Sequence, residues 1–181
     1  MKRTLLLGLA VSAFAVFSTD AQIERLTLSS MVQKTDDALM AEIVDREVIR
    51  IDHPVDGPEL YFTHLTLEGT SLRTDETARV VVTFAGGFID EDNGAWNSEA
   101  PSAADTAIGN RVVAFYKHLD NMGGDLEANA LYASHGGLYR TVDTPEGVVV
   151  LGRGAGYAID SNQRATVLGA SIKTFAKPEE L

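Results

Sequence analysis

ALMAEIVDREVIRID (38–52), followed by HPVDGP (53–58) and ELYFTHLTLEG (59–69), reads as one long β-hairpin. The first run is rich in β-branched residues, and its apolar parity changes midway, which predicts a bulge. Asp56-Gly57 sits between two prolines and marks the turn. Outward from this pair, ARVVVTFAG (78–86) alternates with Val80, Val82 and Phe84 on one face. RVVAFYKHL (111–119), ALYASHGGLYRTV (130–142) and GVVVLGRGAGYAI (147–159) bring the strand candidates to six. The link from Asp143 to Glu146 has hairpin length.

Two segments read as helical. Thr27 is placed to cap LSSMVQK. Ala165, Leu168, Ile172 and Phe175 fall on one helical stripe, which Gly169 weakens and Pro178 ends. Short strands with regular turn signals predict an all-β chain: a small, closed or partly open, OB-like barrel of five or six strands, the alternative being a β-sandwich. Gly136, Gly137, Gly152, Gly154 and Gly156 fall within strand patterns, where they favour the bends of a closed barrel.

The helix leading into KTDDALMAEIVD, the bent hairpin, a VVVTF strand followed by Gly-Gly, and a GNRVVAFY strand together resemble a type of secreted bacterial domain. That type is distantly similar to the netrin-type and metalloproteinase-inhibitor modules, which are OB-fold barrels. The likeness spans about residues 36–159 as a pattern of strands and turns. Those inhibitors chelate a protease zinc through an N-terminal cysteine, and this chain has no cysteine, so their mechanism transfers to no residue here.

Composition narrows function. The chain has 181 residues and 19.4 kDa, enough for one domain. Fifteen Lys and Arg against 26 Asp and Glu give a net charge of −11, which argues against nucleic acid and anionic lipid as partners. Without cysteine there is no disulfide, thiolate metal site or cysteine nucleophile. MKRTLLLGLAVSAFAVFSTDA (1–21) reads as a signal peptide: Lys2 and Arg3, an apolar run from Leu5 to Phe17, then Thr19 and Ala21 at the cleavage positions. The expected organisation is a leader at 1–21, a barrel at 22–160 and a helical tail at 161–181 packed on it. The product is expected in the periplasm or outside the cell, with no membrane span once the leader is removed.

Local chemistry is sparse. Gly152-Arg153-Gly154-Ala155-Gly156 lacks the βαβ setting of a dinucleotide fingerprint, because YAID follows it. Counted from Asp90, position 6 of an EF-hand loop would be Ala95 and position 12 Pro101, so the register fails. Asp90 and Asp92 remain candidates for calcium of another geometry, the only cofactor considered. His53, His64, His118 and His135 form no HExxH-type pair, and no GxSxG elbow exists, so no catalytic residue is assigned. His135, between small residues, stands out from the other three.

Residues 86–110 form a long link with no Lys, Arg or His. They carry Asp90, Glu91, Asp92, Glu99, Asp105 and the only tryptophan, Trp96. Such a loop either docks on a basic, partly apolar partner or folds its tryptophan back over one end of the barrel. The leading expectation is an exported binding module acting through this loop on a protein or envelope component. Its candidate contacts are Trp96, Glu99, His135, Tyr139, Arg140 and Arg153. The alternatives are a hydrolase with a site near His135 and a calcium-binding envelope or matrix protein.

Overall fold

A computed structural model describes residues 26–177; the leader read at 1–21 and Pro178 lie outside them. Thr27 caps α1 (Leu28–Lys34) by accepting a hydrogen bond from Ser30 N at 3.1 Å. Arg73 holds the other end of α1, donating to the carbonyl oxygens of Val32 and Thr35. Burial of Met31 and Val32 anchors this short helix, which would be unstable alone.

The long hairpin is present as β1 (Asp37–His53) and β2 (Gly57–Ser71), and its register shifts between Ile43 and Asp45. This is the bulge that the parity change predicts. Beyond it the hairpin continues as an arm. A loop at 120–127 braces the tip: Gly124 N donates to Asp56 at 2.7 Å, and His53 Nε2 lies 3.2 Å from Asp125.

After the arm come β3 (Thr77–Ala85), the short β4 (Gly87–Phe88) and β5 (Gly94–Ala95), β6 (Arg111–Leu119) and β7 (Ala128–Leu131). A 3₁₀ turn at Ser134–Gly137 leads to β8 (Leu138–Thr144), β9 (Gly147–Val150), β10 (Gln163–Arg164) and α2 (Ala165–Phe175). Five strands close on themselves in the order β1-β2-β3-β7-β6, and β6 returns to pair with β1. The β3–β7 seam is parallel and the other pairings are antiparallel. In chain order the barrel runs first, second, third, fifth, fourth, the OB-like arrangement. The sandwich alternative falls, because one continuous ladder encircles the core.

Strand β6 shows why the sequence reads as a solid apolar run. Val112, Ala114 and Tyr116 point into the barrel, where they meet Leu39, Ile43, Leu65, Leu67 and Val82. Val113 and Phe115 point outward into a second core under the helices, with Met31, Tyr139, Leu168 and Ile172. A strand buried on both faces loses its alternation. The stripe on α2 is confirmed, with Ala165, Leu168, Gly169 and Ile172 buried.

Two strand expectations need correction. Residues 130–142 are not one strand: β7 and β8 pair in succession along the same edge of β6, and the 3₁₀ turn steps the chain between them. Gly137 belongs to that step, since a Cβ there would lie 1.9 Å from Tyr132 O. Residues 147–159 are strand only through Val150. Gly152, Gly154 and Gly156 therefore lie in an irregular crossing segment, and Gly136 and Gly137 in the turn; none of these glycines bends a barrel strand.

Candidate functional site

The link between β3 and β6 divides at Asn97. Its front half is the β4–β5 hairpin, closed by Asp90, whose Oδ1 accepts from the Asp92 and Asn93 amides at 2.9 and 2.8 Å. Asn93 Nδ2 also donates to both Asp90 oxygens at 2.8 Å. The Asn93 side chain, followed by the Asp92 amide, holds the Asp90 carboxyl below its ordinary value. This carboxylate is occupied by its own loop. Among the described residues no group of three or more His, Asp or Glu is placed to hold a metal ion.

The hairpin lies against the β1–β2 arm. Gly86 N donates to Tyr61 O at 2.7 Å, and Thr63 Oγ1 donates to Gly86 O at 2.7 Å. Contact is so close that a Cβ on Gly87 would meet Thr63 Oγ1 at 2.4 Å. With one side held, the hairpin turns its large apolar side chains to solvent: Phe88 is 50% exposed, Ile89 52% and Trp96 79%. Asp90, Glu91 and Asp92 are exposed beside them. Trp96 does not fold over the barrel.

The back half, 97–110, is latched to the barrel. His135 N and Nδ1 both lie 2.9 Å from Glu99 O, and Nε2 lies 3.0 Å from Tyr157 Oη. A carbonyl only accepts, so Nδ1 carries a proton and donates to Glu99 O. Glu99 Oε2 stands 3.7 Å from Nδ1. Deeper in, Arg153 Nη2 donates to Asp105 Oδ2 at 3.1 Å and Nε donates to Leu138 O at 3.0 Å. The Arg153 guanidinium lies 5.9 Å from the Tyr139 ring centre. Burial pushes the Tyr139 hydroxyl above its ordinary pKa, opposed by the Ile159 amide that donates to it and by Arg153.

The structure thus brings four expected contacts, Glu99, His135, Tyr139 and Arg153, into one cluster. The side chains of His135, Tyr139 and Arg153 make their hydrogen bonds inside the fold, while the Glu99 carboxylate is exposed. Both nitrogens of His135 are engaged, so the imidazole fastens the loop. Ser134 is not on a strand face; it opens the 3₁₀ turn with φ 52°. Arg140 stands apart, exposed on the face of β8 opposite Tyr139. Sequence reasoning missed Phe88 and Ile89, although two large apolar residues directly before an acidic run were a readable signal. Tyr157 and Asp105 carried none, since only the fold sets them against His135 and Arg153.

No helix among the described residues is long and apolar enough to cross a membrane. Comparison with known protein families, with curated proteins and with solved structures finds no match for this chain.

Proposed function

We propose that this protein is an exported interaction module that binds a basic, partly apolar protein surface through its β4–β5 hairpin. The carrying observation is the solvent exposure of Trp96, the only tryptophan, beside Phe88 and Ile89 on a hairpin whose other side is fixed to the arm. Aromatic anchors on a hairpin with an acidic tip suit a partner of opposite charge. Asp90, Glu91 and Asp92 supply the charge, and residues 86–110 hold no cation to offset it. The leader read at 1–21 supports export. The barrel's strand order is of the OB-like class to which the modules that the sequence resembles belong, without their cysteine chemistry.

A synthetic peptide of alternating lysine and leucine tests the reading, with Trp96 as its own fluorophore. Binding should shift the emission to the blue and weaken as salt rises from about 0.05 to about 0.5 M, which shortens the screening length. A glutamate–leucine peptide should leave the emission unchanged. Equal response to both peptides, or to neither, would remove the charge-and-anchor reading.

A further inference from the structure

Helix α2 leaves a cleft of about 540 Å³ along one flank, between itself and the turns of the barrel. That volume lies within the range of roughly 300–1,000 Å³ typical of small-molecule sites. The walls are mostly apolar, built from Met40, Leu72, Val148, Ala165, Gly169 and Ala170.

Gly169 is the informative wall residue. Glycine is the least favourable helix residue short of proline, so a glycine in mid-helix calls for a cause. Crowding is not that cause. A Cβ here would meet only Leu72 Cδ2, at an ordinary 3.6 Å. What the glycine preserves is open space in the cleft.

The rim says which ligand fits. Arg164 pairs with Glu146 at one end of α2 and Lys173 with Asp75 at the other, and all four residues line the cleft. The two pairs cancel, so the rim offers a ligand no net charge. Between them, Arg164 to Lys173 covers about 13 Å at the helical rise of 1.5 Å per residue. An extended chain of about ten carbons advances about 1.25 Å per bond, which makes about 11 Å between its end carbons and about 13 Å with the bulk of its terminal methyl group.

We infer that this cleft binds an uncharged, unbranched hydrocarbon chain of about ten carbons, the tail of a single-chain aliphatic molecule whose head group stays in solvent. The site is separate from the β4–β5 hairpin and stands whether or not that hairpin binds a protein.

Calorimetric titration of the full chain with hexanol, octanol, decanol and dodecanol tests it. The expected result is saturable one-site binding that tightens about fourfold per methylene up to decanol and then levels off, because a longer tail outruns the cleft. Gly169→Met fills the space and should weaken decanol binding about tenfold or more, with thermal melting unchanged or raised. Ala170→Met, at a more exposed wall position, is the second variant should the first fail to fold. Absence of saturable binding, an unbroken gain through dodecanol, or undiminished decanol affinity in a folded variant would each overturn the assignment. Tighter binding of decanoate than of decanol would overturn its uncharged character.

Discussion

Trp96→Ala separates an anchor from a cover, because the two roles place the tryptophan's surface in opposite accounts. With 79% of the residue exposed, about a fifth of its area is covered by the fold. Aromatic side chains bury about 150–250 Å² when enclosed, so the covered part is about 50 Å² or less. At about 25 cal/mol per Å² that contributes at most about 1 kcal/mol to folding, and less once the compactness of the unfolded chain is counted. A chain of this size should then lose no more than about 4 °C in melting temperature. Phe115→Ala is the control. Phe115 is fully buried, edge-on to Tyr139 at 6.2 Å, and its truncation should cost about 3–5 kcal/mol. On the binding side the order reverses: roughly 200 Å² of indole remains to be covered by a partner, and Trp96→Ala should weaken lysine–leucine peptide binding by about 2 kcal/mol or more. Scanning calorimetry of both variants and calorimetric titration of the peptide give the two numbers. A melting loss for Trp96→Ala comparable to that for Phe115→Ala would refute the reasoning and make the tryptophan part of the core.

Arg153→Gln should cost about 1–3 kcal/mol, since it strips a partly enclosed Asp105 carboxylate of its cation and Leu138 O of a donor. Hydrogen exchange should quicken across 97–110 while the β1–β2 ladder keeps its protection; uniform loss across the barrel would count against a local latch. His64, whose Nδ1 lies 2.7 Å from Thr83 Oγ1, is held below its ordinary pKa of 6.5 by burial, with Glu47 opposing. The unfolded chain therefore takes up this proton first, so the stability from a neutral His64 is complete above about pH 6.5 and is lost as pH falls through and below that value. His64→Gln should flatten the stability profile there, measured by urea unfolding at about pH 7.5 and about pH 5.5; an unchanged slope would mean that His64 does not titrate with folding.

The hairpin, the bulge, the two helices and the barrel class were legible because each rests on local chemistry. A parity change, an Asp-Gly turn, a threonine cap and a helical stripe are visible within a dozen residues. The break at 132–137 was not. Ala133 and Ser134 adopt left-handed backbone angles there without being glycine, asparagine or aspartate, so turn chemistry announces nothing. What imposes the break is tertiary: one edge of β6 must receive β7 as a barrel strand and then β8 as the start of the outer layer. The crossing segment after Val150 was misread for a related reason, since apolar residues interleaved with glycine look alike in a bent strand and in a loop that passes close to other backbone. At the site, the acidic charge and Trp96 could be singled out from sequence. Their division of labour could not, because it depends on which half of the link meets His135 and Arg153.

That division bears on how so small a hairpin can present a surface. Two strands of two residues each are not stable by themselves, and the loop carrying them is long enough to be costly to order. Its order is supplied from below and behind. Tyr61 and Thr63 hold Gly86, Asn97 Nδ2 donates to Ala85 O at 2.9 Å, and the bonds of His135 and Arg153 fix the return path to β6. Ordering a side chain at an interface costs about 0.5–1.5 kcal/mol, so a hairpin already fixed in the free protein spares its partner much of that loss. On the proposed reading, the polar cluster around His135 bears on binding without touching a ligand. His135 and Arg153 make their hydrogen bonds inside the fold, and Phe88, Ile89 and Trp96 stay exposed.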